Sequence, residues 1–292
     1  MRARLHVRGQ RYGFFREGTH DLCDARATRQ LLPASCDVLD RLAAALRSVE
    51  AGSMQGVREI ELSENIDASN RAVCFDSGTA MDVRIAQRLS QTEGLTGFGP
   101  AATVTDTLAV ESVSLVLRRN VLAFFQGNRY LLQKLVGHVV EHVPRGASIV
   151  DLYAGAGLFA IGAAACRGSR VKAVEGDRVS AADLTVNAAA HDIQPFHEPV
   201  EAFLAAVRAA PDAVIVDPPR TGMSREALEG VVRMRAGRVI YVSCDVATLA
   251  RDSRRLVDAG YAIQRADAFD LFPNTPHVET VVVFDYGRVP AA

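Results

Sequence analysis

Ile149-Val-Asp-Leu-Tyr-Ala-Gly-Ala-Gly-Leu-Phe159, followed by Val171-Lys-Ala-Val-Glu-Gly176, decides the fold. An apolar run ends in Asp151, a glycine-rich turn follows, and an alanine-rich helical stretch begins near Leu158. A second apolar run ends in Glu175. The pattern is a strand, a tight turn, a helix, and a strand with an acid at its carboxyl end. In open parallel sheets the crevice beyond such strand ends takes an adenosine-containing ligand. Gly155 and Gly157 let the backbone turn sharply and approach a ligand with no Cβ in the way. Glu175 stands about 20 residues past the first glycine, where a carboxylate can accept from both ribose hydroxyls. A glycine pair also occurs in plain structural turns. The whole strand–turn–helix–strand–Glu unit is what points to a nucleotide-type cofactor.

Downstream, strands and helices alternate. Strand runs fall at 148–152, 170–175, 196–200, 213–217, 238–243, 261–268 and 278–285, with helices over 158–166, 178–191, 201–209, 224–235 and 246–257. Strands separated by helices require a parallel, doubly wound sheet. The last two runs are joined by Phe269-Asp-Leu-Phe-Pro-Asn-Thr-Pro276, too short for a helical crossover, so they pair antiparallel. Upstream, 128–142 reads as a helix, and 110–117 and 121–125 as strands. The first third reads as a small α+β domain. Two strands meet at Arg8-Gly9-Gln10, a helix spans Leu31 to Val49 with Ser35 as its cap, strands lie at 57–62 and 72–75, and a short helix at 80–89. The segment 93–103, with three glycines and Pro100, is the linker candidate. The expected division is 1–105, an RNA-contacting α+β domain, and 106–292, the catalytic domain.

The totals narrow the class. The 292 residues suffice for two domains, and 49% hydrophobic content supports a real core. No apolar run is long enough for a membrane helix, and the first residues lack the apolar stretch of a signal peptide, so a cytoplasmic protein away from membranes is expected. Net charge is −1, yet the first 30 residues hold Arg2, Arg4, Arg8, Arg11, Arg16, Arg26 and Arg29 against Glu17, Asp21 and Asp24. That excess suits either phosphate contact or a solvated arginine-rich face. Five cysteines with no C-x-x-C pair fit reduced thiols rather than a disulfide framework or zinc site. His191, His197, His277 and the other histidines show no ligand spacing, and no metal is expected.

Three more clusters fall at strand ends on the side of Tyr153 and Glu175. In Ile215-Val-Asp-Pro-Pro-Arg-Thr-Gly222 a strand delivers Asp217 into a turn stiffened by two prolines, and Arg220 can reach a phosphate. The same letters also serve simply to end a strand. In Ile240-Tyr-Val-Ser-Cys-Asp245, Cys244 lies just before a helix, whose dipole would favour the thiolate; otherwise it is an ordinary small buried residue. In Phe272-Pro-Asn-Thr-Pro-His-Val-Glu-Thr280, Glu279 opens the last strand, either as a surface charge or turned back toward Cys244. A carboxylate beside an activated thiol suits addition–elimination chemistry.

Taken in order, Phe124-Phe-Gln-Gly-Asn128, Asp151-Leu-Tyr-Ala-Gly-Ala-Gly157, Asp217-Pro-Pro-Arg-Thr-Gly222, Ser243-Cys-Asp245 and His277-Val-Glu-Thr280 resemble the RNA 5-methyluridine methyltransferases. The resemblance runs from about Val110 to the end and is weaker over the first 100 residues. It implies the class I methyltransferase fold: a Rossmann-like seven-stranded sheet with a terminal antiparallel hairpin, beside a smaller N-terminal α+β domain. It further implies methyl transfer from S-adenosylmethionine to carbon 5 of a uracil in tRNA or 23S rRNA. Cys244 would add to carbon 6, Glu279 would remove the carbon 5 proton, and Gln126, Tyr153, Glu175 and Asp217 would bind the cofactor, Asp217 also helping to place the base.

The departures are specific. Leu158 stands where the family often has a cofactor-contacting Asn, and Asp245-Val246 replaces Asn-Pro after the nucleophile, a change expected to be tolerated. Many members carry an N-terminal β-barrel RNA-binding domain, and several hold an iron–sulfur cluster on four cysteines. Only Cys23 falls near one of those cysteines, so no cluster is expected, and the chain reads as a short or truncated form. A nicotinamide oxidoreductase would leave Cys244 and Glu279 unused. An amino-group methyltransferase would place an aromatic ring where Arg220 stands. A non-catalytic or partner-dependent RNA-binding remnant remains the alternative from another class, and protein partners are not read from the sequence.

Overall fold

The computed structural model describes residues 1–16, 18–49, 56–78, 81–273 and 275–287. Two compact units emerge: Met1–Asp106 with Arg119–Leu122, and Thr107–Arg118 with Ala123–Ala292. In the first, β1 (Arg2–Arg8) and β2 (Arg11–Phe15) form the expected hairpin; β3 (Leu22–Asp24), α1 (Pro33–Val49), β4 (Glu59–Glu64), β5 (Arg71–Asp76), α2 (Val83–Ser90) and β6 (Gly97–Phe98) follow. The sheet order is β3-β2-β1-β4-β5-β6, antiparallel except for the parallel β5–β6 pair. Leu39, Leu42 and Leu46 of α1 lie on one helical stripe and join Leu5, Ile60, Leu62 and Val73 of the strands in one core.

Local expectations fail here in instructive ways. Ser35 is not a cap: it lies inside α1, buried, and donates to Glu64. The segment 93–103 is no linker, because it carries β6 and anchors to β5 through Thr96 N to Arg71 O (2.7 Å) and Gly99 N to Val73 O (2.8 Å). The helix expected over 80–89 is α2, and Ala80 itself lies outside the described residues. The N-terminal arginines are partly committed within the unit. Arg2 and Arg4 meet Glu61 at 2.9 and 2.6 Å, and Arg26 meets Asp37 and Asp40 at 2.7 and 2.8 Å.

The hairpin of β7 (Thr103–Val110) and β8 (Val113–Asn120) follows; residues 121–125, expected as a strand, form a turn and irregular backbone. In the second unit come α3 (Leu132–Glu141), β9 (Ser148–Leu152), α4 (Leu158–Arg167), β10 (Arg170–Glu175), α5 (Arg178–Ala188), β11 (Ile193–His197), α6 (Val200–Ala206), β12 (Ala213–Val216), α7 (Arg225–Met234), β13 (Arg238–Ser243), α8 (Val246–Asp258), β14 (Tyr261–Phe269) and β15 (Glu279–Tyr286). The seven-stranded order is β11-β10-β9-β12-β13-β15-β14. β9 to β13 run parallel, and β15 inserts antiparallel between β13 and β14. This is the class I methyltransferase sheet. β11 starts three residues before the expected 196, with Pro195 inside it, a position tolerated because β11 is an edge strand. The central strands are buried on both faces, as the adjacent Val214 and Ile215 of β12 and Val239 and Ile240 of β13 show. Among the described residues no helix is long and apolar enough to cross a membrane.

Candidate active site

The glycine turn sits where β9 ends. Tyr153 takes a left-handed backbone (φ 62°), followed by Gly155 (φ 57°) and Gly157 (φ 96°), so the chain reverses tightly before α4. A Cβ on Gly157 would stand 2.9 Å from Leu184 Cδ1, whereas above Gly155 the space is open. The Glu175 carboxylate ties the turn to the end of β10, accepting from Gly155 N at 2.7 Å and from Asp177 N at 2.6 Å. Asn187, which sequence reasoning passed over, donates to Ala156 O at 2.9 Å and to Arg118 O at 2.7 Å. Gln126 is buried, and its Oε1 has no hydrogen-bond partner among the described residues. Its segment is fixed by Asn128, whose Oδ1 accepts from Tyr130 N at 3.0 Å and whose Nδ2 donates to Asp270 O and Leu271 O, each at 3.3 Å.

The residues expected to be catalytic gather at the carboxyl ends of β12 and β13. Ser243 pairs with Thr280 across β13 and β15, so the register brings Cys244 and Glu279 to one end of the sheet. Asp217 leaves the end of β12, the parallel neighbour of β13. Glu279 is buried, not a surface charge, with Oε1 unpartnered among the described residues; burial pushes its carboxyl up to about 7. Asp217 is pushed well above the usual range by burial, then by Glu279 and Asp151. Asp151 itself rises to about 8, chiefly through burial.

The thiol departs from expectation. Burial and the Glu279 carboxylate hold Cys244 above the ordinary thiol value, while Arg220, whose guanidinium reaches the sulfur, pulls it back. The helix-dipole argument predicts the opposite direction. It is outweighed by burial first, and then by the carboxyl groups of Glu279 and Asp217; Asp245 caps α8, accepting from Thr248 N at 2.8 Å.

α8 also holds the Asp-Pro-Pro loop. Thr248 Oγ1 donates to Arg220 O (3.2 Å), Arg251 donates to Thr221 O (3.1 Å) and Met223 O (3.2 Å), and Asp252 accepts from Met223 N (3.0 Å) and Tyr241 Oη (2.7 Å). These three residues escaped the sequence reading, although their spacing puts them on one face of a helix. Among the histidines, His138 of α3 and its C-cap His142, four residues apart, come together with Asp267 of β14. The five cysteines are free. The geometry can therefore expose a nucleophilic thiol to a substrate while a carboxyl poised near neutrality takes up a proton.

Comparison with known proteins agrees with this geometry. A family model described as tRNA (Uracil-5-)-methyltransferase matches residues 206–286. An uncharacterized RNA methyltransferase of Thermotoga maritima is 39% identical over 170 residues, covering 56% of this chain and 38% of that protein. The 23S rRNA (uracil(1939)-C(5))-methyltransferase RlmD of Salmonella choleraesuis is 30% identical, covering 94% of this chain and 66% of its own length. The chain thus spans less than two thirds of these relatives. The crystal structure of Pyrococcus abyssi tRNA (uracil-54, C5)-methyltransferase, in complex with S-adenosyl-L-homocysteine, superposes with a TM-score of 0.72 at 23% identity, covering 97% of this chain and 75% of that one. At that identity the likeness bears on the fold.

Proposed function

The chain belongs to the RNA (uracil-5-)-methyltransferase family, and on that premise we propose that it transfers a methyl group from S-adenosylmethionine to carbon 5 of a uridine in tRNA or 23S rRNA. The residues present fit the cofactor: Glu175 at the end of β10 stands beside Gly155, above which the space is open, and the buried Gln126 Oε1 is unpartnered among the described residues. Gln126, Tyr153, Glu175 and Asp217 would hold it. When bound, S-adenosylmethionine supplies an electrophilic methyl group.

The chain's own residues account for the rest. The Cys244 sulfur, as thiolate, bonds to carbon 6 of the uracil and drives the electron pair of the ring double bond toward carbon 5 and the neighbouring carbonyl. Carbon 5 becomes the nucleophile that takes the methyl group. Glu279 then accepts the proton from carbon 5; the ring double bond re-forms and sulfur leaves as thiolate. Arg220 supports both appearances of the thiolate. The target uridine must leave its stack, at a cost of a few kcal/mol that the pocket has to offset. Phe124, exposed two residues before Gln126, offers a ring for a displaced base to stack on. The N-terminal unit, with β1 to β6, is assigned to RNA contact.

The observation that carries this reading is the meeting of Cys244 and Glu279 at one end of β13 and β15. The test incubates the protein with methyl-labelled S-adenosylmethionine and unmodified tRNA and 23S rRNA transcripts, then identifies nucleosides by mass spectrometry. Label in 5-methyluridine, absent with Cys244→Ala, supports the reaction and its nucleophile. Label in another nucleoside, or label surviving in the variant, overturns it.

A further inference from the structure

Outside the candidate active site, His138 and His142 stand one turn apart at the end of α3, and Asp267 reaches them from β14. One ligating atom from each lies within 4.8 Å of the others. His138 Nε2 is 3.2 Å from Asp267 Oδ2, and the two imidazoles meet edge to face with centroids 4.8 Å apart. The Nε2 of His142 is buried with no hydrogen-bond partner among the described residues, and that of His138, also buried, has the Asp267 carboxylate beside it. A buried imidazole nitrogen left unsatisfied, as at His142, calls for a further partner.

We propose that His138, His142 and Asp267 form a divalent transition-metal site, suited to Zn2+, that clips the end of α3 to edge strand β14. Two histidines at i and i+4 share a helix face, the arrangement by which helices present paired imidazoles to zinc. Tetrahedral zinc with bonds of about 2.0–2.2 Å separates its ligand atoms by roughly 3.3–3.6 Å. The His138–Asp267 approach of 3.2 Å already lies close to that edge length. His142 has only to close from within 4.8 Å. Imidazole and carboxylate without thiolate select a borderline cation over calcium or magnesium, which prefer all-oxygen shells. Water would complete the fourth position.

The competing occupant is Arg265, which pairs with Asp267 at 2.6 Å through Nε and 3.2 Å through Nη2. The ion must share or displace that guanidinium. Arg265 is exposed and Asp267 half-buried, a setting in which such a pair is weak.

The experiment titrates Zn2+ into the metal-free full chain, following uptake by competition with a chromophoric chelator and stability by thermal melting, with Co2+ absorption reporting coordination. The expected result is one Zn2+ per chain, a Tm rise of several degrees at saturation, and visible Co2+ bands of low coordination number. His142→Ala and Asp267→Asn should both abolish uptake and the Tm rise, with circular dichroism and metal-free Tm verifying their fold. Arg265→Ala, which frees the carboxylate, should tighten binding by about two- to fivefold. No uptake by the parent protein overturns the proposal. So does uptake that survives both ligand variants and disappears instead when Cys23 and Cys244 are replaced by Ser.

Discussion

Glu279 is the residue on which the proposed chemistry can be read by pH. Burial places its carboxyl at about 7, so the base is half-formed near neutrality, while the Cys244 thiol is held above its ordinary value. Both groups act deprotonated. The single-turnover rate should therefore rise through pH about 7 and keep rising into the alkaline range; a rate that is flat from pH 6 to 9 would contradict these assignments. Removing only the base separates the steps. Glu279→Gln should still let Cys244 add, so a covalent protein–RNA adduct accumulates on a denaturing gel while 5-methyluridine release falls by about 10²–10⁴-fold. Asp151 makes a different prediction, about stability. Its folded value near 8 lies above the unfolded one, so the folded state binds the extra proton. Stability is thus fully present below about pH 4 and is lost as pH rises from there toward about 8. Asp151→Asn lacks this dependence. Its stability relative to the parent should improve by the order of a few kcal/mol between pH 5 and 8 in urea melts. Parallel pH curves would remove Asp151 from the account.

At the scale of elements, the loop after β12 depends on one glycine. Gly222 has φ +73°, and a Cβ there would come within 2.8 Å of Asp252 Oδ2 and 3.1 Å of Thr248 Cβ on α8. Gly222→Ala should cost about 1–2 kcal/mol through the backbone alone and more through α8. It should also lower kcat by displacing Asp217 and Arg220. Gly146→Ala is the control: φ is +67° with nothing within 4 Å, so it should show the backbone cost and leave kcat alone. Equal kcat values for the two variants would mean that α8 does not position the loop. The elements from β9 to β15 were legible because apolar runs, glycine turns and helical stripes succeed one another with little interference. β7 was not, although it alternates strictly. Its inward positions are Val104, Asp106, Leu108 and Val110, and the buried aspartate breaks the apolar period that identifies a strand. Pro195 displaced the reading of β11 for a related reason, since only the sheet order reveals that the strand is an edge.

For the whole molecule, the candidate site was legible as a cluster where its residues fall in short motifs at strand ends, as with Cys244, Glu279, Asp217 and Glu175. It was illegible where groups act across long separations. Thr248, Arg251 and Asp252 support a loop about 30 residues away, and Asp267 meets histidines more than 120 residues earlier. A buried ion pair of the N-terminal unit also escaped the sequence reading. Arg119, returning to that unit with residues 119–122, donates through Nε to Asp106 at 2.8 Å; both side chains are fully buried, and the guanidinium also donates to Ser63 and to the Glu64 carbonyl. Asp106 in turn accepts from Ile66 N at 2.9 Å. Because desolvation largely offsets the attraction within such a pair, its two halves are worth far less together than either costs when left alone. Arg119→Met should destabilise the N-terminal unit by about 3–5 kcal/mol, since it strands a buried carboxylate. Adding Asp106→Asn should recover part of that loss. A double variant no better than Arg119→Met would show that the guanidinium serves Ser63 and Glu64 rather than the charge on Asp106. Guanidinium melts followed by hydrogen exchange at β4 and β5 separate the two outcomes, because β4 carries Ser63 and Glu64 and both strands belong to that unit alone.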